Sequence, residues 1–123
     1  WWVLRCFGAD GIRRRLRNHI SLAADFAAWV DAHSRFERVA PAPFSVVCFR
    51  AVADADDGSA AGDELNMELM ERVNASGDVY LSHTRLDCGI VLRVAIGNLG
   101  TTADDLARCR DILDQEIACL CPR

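Results

Sequence analysis

The segment Ile90-Val-Leu-Arg-Val-Ala-Ile96 sets the tightest condition on how this chain can fold, because its side chains sort into two unlike faces on a period of two. Ile90, Leu92, Val94 and Ile96 fall together and read as the core side of a strand. Val91, Arg93 and Ala95 fall on the other side, where one guanidinium stands between two small neighbours. A strand of this kind needs cover on one face only, as in a sheet with helices packed against one side. Upstream, Val79-Tyr-Leu-Ser-His83 also alternates, and Asp87-Cys-Gly89 between the two runs is a turn signal, so residues 79–96 read as an antiparallel hairpin.

The rest of the chain supplies the cover. Ile12, Leu16, Ile20, Ala23, Ala24, Ala27 and Val30 recur at the spacing of a helix with one buried stripe, from Ile12 to about Ala32. Gly8 and Gly11 precede it, so Trp1 to Phe7 reads as a separate strand or helical segment joined by a bend. Arg35–Val39 and Phe44–Arg50 read as strands separated by Pro41-Ala-Pro43. Asp54–Gly62 lacks periodicity and reads as a surface loop; Leu65, Leu69 and Val73 then mark a helix that closes at Asn74-Ala-Ser-Gly77. Thr101-Thr-Ala-Asp-Asp105 has the makings of a helix start, and Leu106, Leu113 and Ile117, with Ile112 and Cys109 beside them, set that helix's buried face. The order is helix, two strands, helix, two strands, helix, which is an α+β domain with a mostly antiparallel sheet and helices on one face.

Composition excludes several classes of function. No uninterrupted apolar run approaches the roughly 18 residues of a membrane span, and no basic stretch precedes a short apolar segment in the manner of a signal peptide, so the expected location is cytoplasmic with no membrane partner. The net charge is −4, and the basic residues are scattered apart from Arg13, Arg14, Arg15 and Arg17, which read as the solvated face of a helix and not as a nucleic-acid surface. The six cysteines contain no C-x-x-C, which points to reduced thiols and no metal site. The chain opens on Trp1-Trp2, already apolar and periodic, with no initiator methionine, and therefore reads as a fragment.

Arg93 is the candidate site residue, since a planar guanidinium on a strand suits bidentate capture of a carboxylate or phosphate. His83, at a strand end beside the turn, could carry a proton or a ligand. His19 lies near the apolar stripe of the long helix and reads as a core or interface residue, and His33 at its end suits the helix dipole. No nucleophile elbow, Gly-rich phosphate loop or H-E-x-x-H is present, and the residues by themselves name no reaction.

The run Trp2-Val-Leu-Arg5-Cys-Phe-Gly8-Ala-Asp-Gly11, followed by Arg17-Asn-His19-Ile20-Ser-Leu22-Ala23, resembles the segment entering the C-terminal domain of the group II pyridoxal-phosphate-dependent decarboxylases, which include aromatic-L-amino-acid, tyrosine and histidine decarboxylases. The likeness continues in order through Arg35-Phe36-Glu37, Val47-Cys48-Phe49-Arg50, Asn74-Ala75-Ser76-Gly77, Ser82-His83-Thr84, Val91–Asn98 and Thr101-Thr102.

The resemblance implies that residues 12–123 are the small C-terminal domain of the type I pyridoxal-phosphate enzyme fold and residues 1–11 a junction from a missing large domain. It implies a cytoplasmic, homodimeric parent enzyme that removes the α-carboxylate of an aromatic L-amino acid as carbon dioxide, using pyridoxal 5'-phosphate bound mainly by the large domain. Arg93 matches the family arginine that faces the substrate carboxylate or secures the domain interface. Arg5 matches another near the junction, where an ion pair is expected, and His83 falls in a matched segment as a further active-site or interface position.

The family's Schiff-base lysine lies upstream. All fourteen basic residues here are arginine, so no catalytic residue is assigned in this chain and the chain alone is not an active enzyme. Other readings are a relative acting on glutamate or diaminobutyrate, an aldehyde-forming member, and a non-catalytic stand-alone interaction module. A small domain without its partners should expose apolar area at Trp1, Trp2, Phe7 and the Val91/Ala95 face.

Overall fold

The computed structural model describes residues 1–52 and 60–121. Its elements are α1 (Trp2–Ala32), β1 (Phe36–Arg38), β2 (Val46–Ala51), α2 (Ala60–Ala75), β3 (Ser82–Leu86), β4 (Gly89–Ala95) and α3 (Ala103–Leu120). The four strands form one antiparallel sheet in the order β1-β2-β4-β3, so the apolar strand β4 is interior. Ile90, Leu92, Val94 and Ile96 are all buried, as the alternation requires. Leu92, Val94 and Ile96 join Val47 and Phe49 of β2, Phe26 and Val30 of α1, Leu69 of α2 and Leu113 of α3 in a single core. Burying each such side chain stabilises the fold by roughly 1.5–3 kcal/mol. The α+β class and the one-sided helical layer therefore follow the pattern in the sequence.

Local chemistry fixes the element ends. Gly8, at φ 65° and ψ 168°, breaks α1 into a short first segment and a long second one, which makes Trp2–Phe7 a helical segment joined by a bend. Thr102 caps α3 by accepting from the Asp105 N–H (3.3 Å), while the Asp105 carboxylate accepts from the Thr102 N–H (2.8 Å), a reciprocal capping box. At the far end of α3, the Arg35 Nη1 donates to the Cys121 carbonyl, an acceptor that a helix end leaves open, and to the Ile117 carbonyl (3.1 Å), which also accepts the Cys121 N–H.

Several boundaries differ from expectation. The buried stripe of α1 is His19, Leu22, Ala23, Phe26, Ala27 and Val30, whereas Leu16 is exposed, because the first half of α1 runs beyond the sheet that covers the second. α2 starts at Ala60, five residues before Leu65; alanines and a first-turn Asp63 favour helix where composition suggested loop. The Asp54–Ser59 part of the expected loop lies outside the described residues. β3 runs Ser82–Leu86 and not Val79–His83, because Asn74 holds both the N–H and the C=O of Leu81 and so keeps that peptide off the ladder.

Exposure also departs from expectation at two positions. Val91 is fully buried, although its face was expected to be open: Thr84 flanks it on β3, and the register places the long side chain of Arg50, itself 5% exposed, on its other flank. Phe7 is half-buried, with the Arg15 guanidinium 4.3 Å from its ring centroid, while Trp1, Trp2 and Ala95 are exposed.

Candidate functional site

Arg93 stands on β4 between Cys48 of β2 and Ser82 of β3, on the sheet face turned away from the helices. It is half-buried, and its Nε is buried without a hydrogen-bond partner among the described residues. Several other arginines pair with acids, Arg38 with Asp31, Arg72 with Glu68, Arg85 with Asp63 and Arg108 with Asp78, at 2.6–2.8 Å, while Arg110 shares with Arg93 a buried Nε without a hydrogen-bond partner among the described residues. No carboxylate pairs with Arg93 among the described residues. Leaving a buried donor unsatisfied costs on the order of 1–3 kcal/mol. An acceptor arriving from outside the domain would recover that cost, and a carboxylate matches the guanidinium fork. The neighbours on this face, Val46, Cys48, Ser82, Thr84 and Ala95, bring no competing negative charge.

The other two candidates lie elsewhere. His83 pairs with Leu92 and is exposed, so the strand period puts it on the opposite sheet face from Arg93. Arg5 is exposed on the first segment of α1, where its guanidinium carbon lies 5.8 Å from the Trp1 ring centroid; it forms no ion pair among the described residues. The fold does not gather Arg93, His83 and Arg5 into one constellation. It does place Arg50 on the face of Arg93, with Nη1 donating to the Cys88 carbonyl at 2.6 Å. The alternation Val46, Cys48, Arg50 carried that signal in the sequence, and only Arg93 was singled out from it.

His33 caps α1, its Nε2 lies 2.9 Å from Asp114 of α3, and its Nδ1 accepts from the Arg35 N–H. All six cysteines are unpaired, and burial pushes the Cys109 thiol up to about 11. Among the described residues no three His, Cys, Asp or Glu side chains are grouped to hold a metal ion. The chain has no lysine, so the covalent anchor that a pyridoxal cofactor needs is not among its residues.

No family model matches the chain. Among curated proteins it is 45% identical over 97 residues to tryptophan decarboxylase 2 of Oryza sativa, covering 79% of this chain and 19% of that protein. It is 38% identical over 120 residues to phenylacetaldehyde synthase of Arabidopsis thaliana, covering 98% of this chain and 24% of that one. The crystal structure of Oryza sativa TDC with PLP and tryptamine matches 98% of this chain and 26% of its own, with a TM-score of 0.88 at 32% identity. The chain thus spans about a fifth to a quarter of the length of the curated relatives it matches.

Proposed function

Because the chain belongs to the family of pyridoxal-phosphate-dependent aromatic amino-acid decarboxylases, we propose that it forms the small C-terminal domain of a longer carboxy-lyase that releases the α-carboxylate of an aromatic L-amino acid as carbon dioxide. Residues 12–123 are the domain proper, and residues 1–11 are the junction to the part that carries the cofactor. That protein is a cytoplasmic homodimer. No described helix is long and apolar enough to cross a membrane.

The observation that carries the reading is Arg93, a guanidinium on the open sheet face with a buried Nε and no partner among the described residues. Pyridoxal phosphate, held by the remainder of the protein, supplies the electron sink for the pair left on the α-carbon when the carbon–carbon bond breaks. This chain offers a bidentate clamp on the carboxylate. Carbon dioxide is neutral, so an ion pair with the departing group weakens as the bond breaks and does not by itself favour the transition state. The contribution of Arg93 is orientation: the fork fixes the plane of the carboxylate, and the sheet face keeps water from it. His83 and Arg5 act at interfaces.

The test is Arg93→Lys and Arg93→Ala in the full-length protein, with carbon dioxide release from L-tryptophan and L-tyrosine as the readout. Lysine keeps the charge and loses the fork, so kcat/KM should fall at least about tenfold, equivalent to about 1.4 kcal/mol, with the fold intact. A value within about twofold of wild type would remove Arg93 from the site. A second reading, aldehyde formation, is favoured by the similarity to phenylacetaldehyde synthase over nearly the whole chain. Product analysis separates the two, with amine expected for the first and aldehyde for the second.

A further inference from the structure

A second basic site lies away from the sheet. Where α1 bends at Gly8, its two segments and the loop after β4 line an open pocket of about 540 Å³, whose lining includes Phe7, Arg14, Arg15, Asn18, His19 and Leu99. Among the described residues no carboxylate lines it. The nearest acid in sequence, Asp10, is committed to Arg13 at 2.8 Å. Arg14 and Arg15 form no ion pair among the described residues, in a chain whose net charge is −4.

Arg15 is already positioned for a ligand. Its guanidinium carbon lies over the Phe7 ring, 4.3 Å from the centroid, and its N–H donors have no hydrogen-bond partner among the described residues. His19, only 7% exposed, makes no hydrogen bond among the described residues, yet it lines the pocket. Its ring nitrogens are not sealed from solvent, so the imidazole can present an N–H to the space it borders, and it carries at least one N–H in either protonation state. The Asn18 amide adds two more donors.

We propose that this pocket binds an anionic group of the carboxylate or phosphate class, clamped by Arg14 and Arg15 and held at its base by His19. The site is independent of Arg93 and of the decarboxylase reading. The anion is either a free small molecule or a side-chain carboxylate from the part of the protein outside this chain.

Inorganic phosphate titrated into the chain at constant ionic strength tests the site, read by NMR at the His19 ring and the Asn18 side-chain amide. Saturable shifts are expected. They should weaken at least tenfold in Arg14→Gln/Arg15→Gln and persist in Arg13→Gln/Arg17→Gln, which removes the same charge from outside the pocket; thermal melts confirm that both variants fold. Shifts that do not saturate, or that weaken equally in both variants, would mean nonspecific screening and overturn the proposal. The same titration on full-length protein separates the sources: retained phosphate binding identifies a free anion, and its loss, with the His19 resonances already at their bound positions, identifies a carboxylate of the protein. His19 resonances at their free positions and unmoved by phosphate would again overturn it.

Discussion

The side-chain amide of Asn66 closes two hydrogen bonds on the peptide groups of Ala51, accepting from its N–H at 2.7 Å and donating to its C=O at 3.1 Å. Asn66 is fully buried on α2, and its amide also donates to the Gly62 carbonyl at 2.8 Å. One side chain thus imitates the edge of a neighbouring strand and fastens the helix to the end of β2. Two turns later, Asn74 does the same for Leu81. Asn66→Ala leaves the N–H and C=O of Ala51 short of a partner and should cost about 2 kcal/mol or more. Asn66→Asp should be at least as damaging, since an ionised carboxylate cannot donate to either carbonyl. Urea unfolding checks this: the midpoint should drop with the slope unchanged, and a drop equivalent to less than about 1 kcal/mol would show that the clamp is dispensable.

The β3–β4 hairpin depends on Gly89. It sits at φ 101°, and a Cβ built there meets the Asp63 carboxylate. That carboxylate accepts from the Ile90 N–H at 2.5 Å and pairs with Arg85 at 2.8 Å. Gly89→Ala therefore strains the backbone and pushes aside the acid that ties α2 to the hairpin. We expect a loss of about 2 kcal/mol. In Gly89→Ala/Asp63→Ala the steric part disappears, so the double variant should lose less than the sum of the two single ones, and strict additivity would refute the coupling.

These clamps mark where the sequence stops being legible. Periodicity identified every element and placed Ile90, Leu92, Val94 and Ile96 correctly, because burial of a strand face depends only on the period of two. It misplaced β3 and the start of α2, where a single asparagine and a pair of alanines outweigh the local apolar pattern. Leu16 fits the stripe of α1 yet is exposed, since periodicity cannot say where the sheet beneath a helix ends. Arg93 was readable for the same reason as the core. The pocket at His19 was not, because it depends on the bend at Gly8 bringing Phe7 against Arg15.

Acid should weaken the fold in a definite window. Asp63 is held below the ordinary carboxylate range chiefly by the Ile90 N–H, Asp105 by the Thr102 N–H, and Asp31 by its bond to Arg38. A depressed folded value means that the unfolded chain binds protons first as pH falls. Their contribution is thus complete above the unfolded carboxylate value of about 3.9 and is lost as pH drops through the lower folded values. Urea midpoints from pH 7 to pH 2 should be flat and then fall. The fall should be shallower in Asp63→Asn, and 1 M salt should diminish the Asp31 share more than that of Asp63, whose main partner is a backbone N–H.

Thiol reactivity should divide the cysteines. Cys109 is 3% exposed and burial raises it to about 11, so at pH 8 it stays protonated and shielded. Cys6 and Cys119 are exposed. Alkylation of the native chain at pH 8, followed by mass mapping, should label Cys6 and Cys119 within minutes and leave Cys109 until the chain opens. Labelling of Cys109 at the rate of Cys119 would mean that the α3 core opens freely.

Arg93 should show the opposite signs of a functional and a structural residue. A paired arginine loses stability when replaced, but Arg93 has a buried Nε with no partner among the described residues, so that donor contributes cost without compensation inside this domain. Arg93→Met retains the length and the apolar stem while removing the unsatisfied donor. Its thermal midpoint in this chain should stay level or rise, while the full-length protein loses carboxylate capture and most of its activity. Arg85→Met, which breaks the pair with Asp63, supplies the contrast and should lower the midpoint. If Arg93→Met instead lowered the midpoint by more than about 4 °C, corresponding to about 1 kcal/mol in a domain of this size, the guanidinium would be holding the sheet together and its claim on an outside carboxylate would fail.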